Sequence, residues 1–284
     1  MQSDNRFASR RSFLKFSAAA AAGVALGSRV LRADPAAEQD LGGLKLGIQS
    51  YTLRDRTFEK MLEAMKDDLK LHWVELFGAH LSNRMSPRHL EEAKKKMADA
   101  QVTALSFGVV DFSKDHDANR KLFDFAKTMG MANIAANPDY DAFDSLDKLV
   151  DEYDITIAIH DHGPGAKWVK VNQIWDAVKD HNKKIGLCND TGHFIRANED
   201  PLEACHVFKE RMYDMHLKDF KPKSDGGWDD VPLGDGKLDV DGIIKFVLDH
   251  KYPHGLFIEY EGGNPVESTQ KCIERVKQAV QKGR

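Results

Sequence analysis

The stretch Ile155-Thr156-Ile157-Ala158-Ile159-His160-Asp161-His162 alternates branched apolar residues with small or polar ones. Because successive side chains of a strand point to opposite faces of a sheet, this alternation predicts a β-strand with two unlike faces. The isoleucines share the face that would pack outward against helices, and His160 and His162 lie on the other. A strand with inward polar residues at its carboxyl end is typical of a closed β/α barrel, where that end is the catalytic face.

Seven further apolar runs accompany this strand, and helical patterns separate them. The eight predicted strands cover residues 44–50, 72–76, 102–107, 132–136, 155–160, 184–190, 212–216 and 255–259. One helix is predicted after the first strand from the spacing of Phe58, Met61 and Met65, and another begins at the capping pair Ser86-Pro87. Strands that alternate with helices predict an α/β fold with a parallel sheet. Eight such units favour a single-domain (β/α)8 TIM barrel over residues 34–284, which are about as many as such a barrel needs.

The first 33 residues differ in composition from the rest of the chain. Arg10-Arg11 is followed by Phe13-Leu14-Lys15, an alanine-rich stretch and a small residue, Ala33. This pattern resembles a twin-arginine signal peptide, so we predict an exported, periplasmic or otherwise translocated protein cleaved after Ala33. An alanine-rich amphipathic helix is the alternative. The segment contains no cysteine, so we expect no lipid or membrane anchor.

Charge and cysteine content exclude several classes of protein. The whole chain carries a formal charge of −4, and residues 1–33 contribute +5, which leaves −9 for residues 34–284. Such an acidic domain lacks the basic surface that nucleic acid binding requires, so we expect no nucleic acid partner. Three cysteines cannot form a disulfide framework, and no apolar run approaches the ~20 residues that span a bilayer.

Two imidazoles and two carboxylates end the last four predicted strands. They are His160, Asp190, His216 and Glu259. Because neighbouring strands lie ~4.8 Å apart, inward side chains at matching height can converge on one point. Two buried carboxylates would repel each other, and a cation would remove that repulsion. The set therefore predicts one divalent metal ion, with Mn²⁺, Zn²⁺ or Co²⁺ favoured and Fe²⁺ also compatible.

Further polar residues at the same end of the predicted barrel are candidates for catalysis. His162 shares the face of His160, His193 follows Asp190, and Lys218 follows His216. We predict proton transfer or substrate contact for these three residues and proton removal for Glu259. Rim hydrogen bonds or solvated charges are the alternative for His162, His193 and Lys218.

Four more residues are candidates for substrate binding. Glu75 ends the second strand, and Tyr51 and Arg54 follow the first. Trp228 lies in a long predicted loop, 221–239, which could cover the catalytic face and stack the indole on a sugar. A mobile surface loop without contact to substrate is the alternative.

Several motifs at the strand ends resemble the xylose isomerase-like barrels, a superfamily of sugar isomerases and epimerases that also holds metal-dependent apurinic endonucleases. The residues that carry this resemblance are 48–54, 74–76, 159–163, Asp190-Thr191-Gly192-His193, His216-Leu217-Lys218-Asp219 and Glu259. The resemblance implies one divalent ion held by Asp190, His216, Glu259 and a ligand from strand five. It also implies that His193 lies near the substrate and that the barrels often pair. A homodimer is therefore one expectation, although no exposed apolar stripe supports it.

One position departs from the pattern of these epimerases. They usually carry a glutamate where His160 stands and use it with the strand-eight glutamate as a pair of bases. The first hypothesis is thus an exported, metal-dependent sugar isomerase or epimerase that removes a proton next to a carbonyl of a small carbohydrate. The alternative, favoured by His160 and by export, is a 3-keto-glycoside lyase or hydrolase acting by β-elimination. A non-catalytic sugar- or metal-binding protein is the third hypothesis.

Overall fold

A computed structural model of the chain describes residues 41–284, and its frame is a closed barrel of eight parallel strands. The barrel strands are β1 (Lys45–Gln49), β2 (Trp73–Leu76), β3 (Thr103–Phe112), β4 (Asn133–Pro138), β5 (Thr156–His160), β6 (Ile185–Asp190), β7 (Met212–Leu217) and β10 (Gly255–Ile258); β8 (Asp219–Pro222) and β9 (Trp228–Val231) form a separate hairpin. Around the barrel the order is β1-β10-β7-β6-β5-β4-β3-β2. The predicted TIM barrel and its eight strands are confirmed.

Helices connect the strands and surround the barrel. They are α1 (Phe58–Glu63), α2 (Pro87–Asp99), α3 (His116–Met129), α4 (Phe143–Tyr153), α5 (Val171–Val178), α6 (Thr191–Arg196), α7 (Pro201–Val207), α8 (Val240–Asp249) and α9 (Pro265–Gly283), with a 3-10 turn at Ser50–Leu53 and a π-helical segment at Ala64–Leu69. The predicted cap of α2 is present, because the Ser86 hydroxyl accepts the His89 N–H.

The faces of the strands divide the core as the alternation predicts. Ala135, Ala158 and Cys188 form a small buried cluster of their own. The isoleucines of β5 belong instead to the large core that includes the helices. Small residues suit the narrow barrel interior, and branched residues fill the space between sheet and helices.

The region after β7 differs from the prediction. Residues 221–239 were expected to form a loop, but they contribute most of an antiparallel hairpin, in which Asp219 pairs with Val231 and Pro222 with Trp228. The strand β9 contains the polar pair Asp229-Asp230, so its composition resembles a loop. The prediction of a loop was therefore wrong over residues 221–222 and 228–231.

Three further predictions concern the N-terminal segment, membrane-spanning helices and the cysteines. The segment 1–33 and its boundary lie outside the described residues. Among the helices of residues 41–284, none combines the length and the hydrophobicity of a membrane-spanning segment. All three cysteines are free and buried.

Candidate metal centre and active site

Four of the predicted site residues converge at the carboxyl end of the barrel. His160 and Asp190 are the last residues of β5 and β6, His216 lies near the end of β7, and Glu259 follows β10. His216 Nδ1 is 3.1 Å from His160 Nε2 and 3.0 Å from Glu259 Oε2. Asp190 Oδ2 is 3.5 Å from His160 Nε2 and 3.8 Å from His216 Nδ1. The donor atoms of all four lie within 4.8 Å of one another and are buried.

These distances suit a divalent ion. With metal–ligand bonds of about 2.1 Å, neighbouring donor atoms are about 3.0 Å apart at a right angle and about 3.4 Å apart at the tetrahedral angle. Asp190 Oδ2 is buried and has no hydrogen-bond partner within the described residues, which is costly for a carboxylate. An ion held by His160, Asp190, His216 and Glu259 would satisfy this oxygen and two imidazole lone pairs at once. The donor set therefore fits the predicted metal.

Glu75 lies behind His216 and fixes the orientation of its ring. Glu75 Oε1 is 3.0 Å from His216 Nε2 and accepts a second hydrogen bond from Gln49 Nε2 at 2.9 Å. If His216 donates its Nε2–H to Glu75, its Nδ1 carries the lone pair that a metal requires. The side chain of Glu75 has no exposed surface. These contacts support a role in orienting a ligand, and the predicted contact of Glu75 with substrate stays a prediction.

Three imidazoles lie side by side at the mouth. His160 Nδ1 is 3.3 Å from His162 Nδ1, and the rings of His162 and His193 stack with centroids 5.5 Å apart. Burial lowers the pKa of His162 to about 4 and the pKa of His193 to about 3. Both rings are therefore neutral near pH 7. His193 Nδ1 is buried without a partner among the described residues.

Lys218 is a buried cation beside the candidate base. Its side chain is 1% exposed, its Nζ is 3.8 Å from Glu259 Oε2, and it forms an ion pair with Glu261. Burial, the largest single effect, would raise the pKa of Glu259, but the Lys218 ammonium and the contact with His216 together outweigh it and lower this pKa to about 2. Glu259 is therefore ionised across the physiological range.

Tyr51 and Arg54 lie at the rim of the mouth. The Arg54 guanidinium is 4.7 Å from the centre of the Tyr51 ring and donates to the Glu261 carbonyl oxygen at 2.8 Å. The Tyr51 ring packs edge-on against Phe77. These contacts place both residues next to the segment that follows Glu259. Their contact with substrate stays a prediction.

The β8–β9 hairpin carries Trp228 and is tied down by Asp219. The Asp219 carboxylate is buried and accepts four backbone N–H groups, those of Gly234, Gly236, Lys237 and Leu238. Trp228 is partly buried against the large core. The anchored hairpin does not have the form of a free surface loop. Whether Trp228 stacks on a sugar stays a prediction.

Two acidic residues near the site were not among the sequence candidates. Asp161 Oδ1 accepts the Asp190 backbone N–H at 2.8 Å, which holds the end of β6 in place. Asp230, on β9, accepts the Glu261 backbone N–H at 3.1 Å. Asp161 follows His160 directly, so its position in the sequence was a signal. Asp230 is brought here only by the pairing of the hairpin, which the sequence did not predict.

Comparisons with known proteins agree with this architecture. A family profile described as xylose isomerase-like TIM barrel matches residues 62–279, and a twin-arginine translocation signal profile matches residues 8–27. An inosose dehydratase of Clostridium botulinum (strain Alaska E43) is 24% identical, over 85% of this chain and 89% of that protein. An uncharacterized protein of Parabacteroides distasonis superposes with a TM-score of 0.65 at 24% identity, over 83% of this chain and 98% of that one. A protein of Mycobacterium smegmatis solved in complex with magnesium superposes with a TM-score of 0.62 at 16% identity, over 80% of this chain and 89% of that one.

Proposed function

The chain belongs to the xylose isomerase-like TIM barrel family and carries a signal for twin-arginine export; on that premise we propose that it is a metal-dependent, sugar-processing lyase. In this proposal it removes the proton next to the ketone of a keto-sugar and expels the oxygen substituent on the following carbon. The observation that carries the proposal is the buried cluster of His160, Asp190, His216 and Glu259 beside a charged lysine and neutral imidazoles.

A divalent ion held by these four residues would act as a Lewis acid that polarises the ketone and acidifies the neighbouring C–H bond. Glu75 contacts His216 Nε2 and would thereby leave Nδ1 of that ring available to such an ion. Asp161 fixes the backbone of Asp190. The remaining groups of the site bind the sugar and move its protons.

Glu259 is the base in this proposal. The Glu259 side chain contacts His216 and Lys218 through Oε2, so Oε1 is the oxygen proposed to take the substrate proton. Its ionised state near pH 7 keeps it ready to accept that proton.

His162 acts as a hydrogen-bond donor rather than as a second base. A ring that binds an ion through Nε2 carries its proton on Nδ1, so His160 would donate to His162 Nδ1. The neutral His162 then has its own proton on Nε2, where it can stabilise the oxygen that gains negative charge. His193 and Lys218 complete the polar wall beside it.

Elimination is favoured over epimerisation for two reasons. Symmetrical epimerisation requires a base on each side of the reacting carbon, and the position of the second glutamate is occupied by His160. The Clostridium botulinum relative is an inosose dehydratase, and loss of water next to a ketone is the same type of elimination.

Export points away from sugar phosphates as substrates, because sugar phosphates are chiefly cytoplasmic. A 3-keto-glycoside is therefore the proposed substrate class.

One experiment separates the hypotheses. The protein, loaded in turn with Mn²⁺, Zn²⁺ and Co²⁺, is incubated in D2O with 3-keto-glycosides and with free ketoses. We expect deuterium uptake next to the ketone together with release of the aglycone. Deuterium uptake without aglycone release would indicate an isomerase or epimerase, and the absence of both would indicate a binding protein. Glu259→Gln is expected to abolish the uptake, and its sugar binding and metal content are measured separately.

A further inference from the structure

The β8–β9 hairpin presents one face to the site and the other to solvent. Phe220 is paired directly with Asp230, and Lys221 with Asp229. Directly paired residues lie on the same face of an antiparallel ladder, and neighbours along a strand alternate. Lys221 and Asp229 are exposed, whereas Phe220 is buried. Asp230 therefore shares the inner face with Phe220.

The inner face of the hairpin lies against Lys218. The Lys218 Nζ lies 5.8 Å from the centre of the Phe220 ring. On the same face, Asp230 Oδ2 accepts the backbone N–H of Glu261, the residue that pairs with Lys218. Asp230 is thus held between the end of β7 and the segment that follows β10, at the mouth of the barrel.

The second oxygen of Asp230, Oδ1, is buried and has no hydrogen-bond partner among residues 41–284. The charged or titratable groups that act on this carboxyl are Lys218, Glu261 and Asp190 at the mouth and the Cys272 thiol of α9. Burial raises the pKa of Asp230 to about 7, with Lys218 opposing the rise. A carboxyl that holds a proton near neutral pH is suited to donate it.

We propose that Asp230 is the general acid that protonates the departing oxygen of the substrate. This inference rests on the function proposed above. In the first step, the C2–H bond breaks as Glu259 takes the proton, and its electron pair forms a C2–C3 double bond while the C3 carbonyl pair moves onto oxygen, which gives an enolate that can be reprotonated at C2. In the second step, the C3 carbonyl forms again, the C2–C3 pair becomes the C1–C2 double bond conjugated with the ketone, and the C1–O bond breaks. Its electron pair stays on the aglycone oxygen, which takes the Asp230 proton and leaves as an alcohol while Asp230 becomes a carboxylate.

The test compares Asp230→Asn with the neighbouring control Asp229→Asn. Asp229 lies on the same strand but faces solvent, where it pairs with Lys223. Each metal-loaded protein is given two 3-keto-glucosides, one with an aliphatic alcohol as aglycone and one with an acidic nitrophenol. An alkoxide needs a proton to leave, whereas a nitrophenolate does not. Deuterium uptake at C2 is followed in parallel, since it requires the base but not the acid.

We expect Asp230→Asn to slow release of the aliphatic alcohol about 100-fold or more and release of the nitrophenol by no more than a few-fold. Deuterium uptake should persist, Asp230→Glu should restore part of the lost rate, and Asp229→Asn should match the unmutated protein. The unmutated protein should also lose activity on the aliphatic substrate as pH rises and Asp230 ionises. Asp230→Asn should lack this alkaline loss.

Two results would overturn the assignment in distinguishable ways. If the unmutated protein releases both aglycones but Asp230→Asn slows them equally, or slows neither, Asp230 is not the acid and the proposed function stands. If the unmutated protein neither exchanges deuterium nor releases any aglycone, the proposed function is wrong, and so is the assignment of Asp230 as its general acid.

Discussion

Replacing Asp219 by asparagine should loosen the hairpin that bears Phe220, Trp228 and Asp230. The four N–H groups divide evenly between the two oxygens of Asp219: Oδ2 accepts Gly234 at 2.9 Å and Gly236 at 3.0 Å, and Oδ1 accepts Lys237 at 2.8 Å and Leu238 at 2.9 Å. An asparagine side chain keeps one acceptor oxygen and turns an NH2 group towards the other pair.

The expected loss follows from the two N–H groups left without an acceptor. A fully buried, unsatisfied group costs about 1–3 kcal/mol and a partly buried one less; because three of the four hydrogen bonds are partly buried, the substitution should lower the free energy of unfolding by about 1–4 kcal/mol. In a chain of this size about 4 kcal/mol corresponds to a fall of about 8–16 °C in Tm. If the loop opens locally instead, the loss of global stability will be smaller and the four amides will exchange with solvent faster.

Urea denaturation and hydrogen exchange of the segment 232–240 measure both possibilities. The matched control is Asp235→Asn, in the same loop but exposed, which should change stability by no more than about 0.5 kcal/mol. Unchanged stability together with unchanged exchange of these amides in Asp219→Asn would refute the view that this carboxylate anchors the hairpin.

Three further outcomes test the site. Asp190→Asn should reduce bound divalent metal well below one ion per chain in elemental analysis, since it removes the charge of a proposed ligand whose Oδ2 has no hydrogen-bond partner within residues 41–284; equal metal content would contradict the ligand set. Glu75→Gln should still bind metal but about 10- to 100-fold more weakly in a chelator competition, because Glu75 orients His216 without itself being a proposed ligand. An unchanged metal affinity would contradict this orienting role. Asp230→Asn should raise stability above pH 7 and leave it unchanged near pH 4. Because the folded pKa of Asp230 is raised from 3.8 to about 7, its ionisation destabilises the fold increasingly as pH rises between these values, by up to about 4 kcal/mol. Tm measured at pH 4 and pH 8 checks this, and an equal shift at both would contradict it.

The barrel could be predicted from sequence because its signals are local. The alternation in β5 fixes which side chains face the axis, and the fold then brings His160 together with residues at the ends of β6, β7 and β10. The distances between these side chains did not have to be known in advance, because the spacing of neighbouring parallel strands determines them. The convergence of His160, Asp190, His216 and Glu259 followed from the same rule.

The contacts that were missed join residues whose relation is visible only in three dimensions. Glu75 and His216 are 141 residues apart, and their hydrogen bond crosses the barrel. The sequence placed Glu75 on the inner face of its strand. It did not show whether the carboxylate would contact a substrate or the side chain of His216 on the opposite strand. Asp230 lies in a strand of only four residues that contains two acids, so no apolar pattern marked its inner face.

The structure divides the proposed reaction between two parts of the molecule. The cluster that would polarise the ketone and take the proton is built on the ends of barrel strands, where Asp190 and His216 are directly paired. The proposed acid is carried by a hairpin that is attached to the barrel after β7 and held by Asp219. Proton removal is the same for every keto-sugar, whereas the departing group differs between substrates. Placing the proposed acid on an inserted element would allow the leaving group to change without disturbing the proposed metal ligands, which agrees with the general use of barrel loops for specificity.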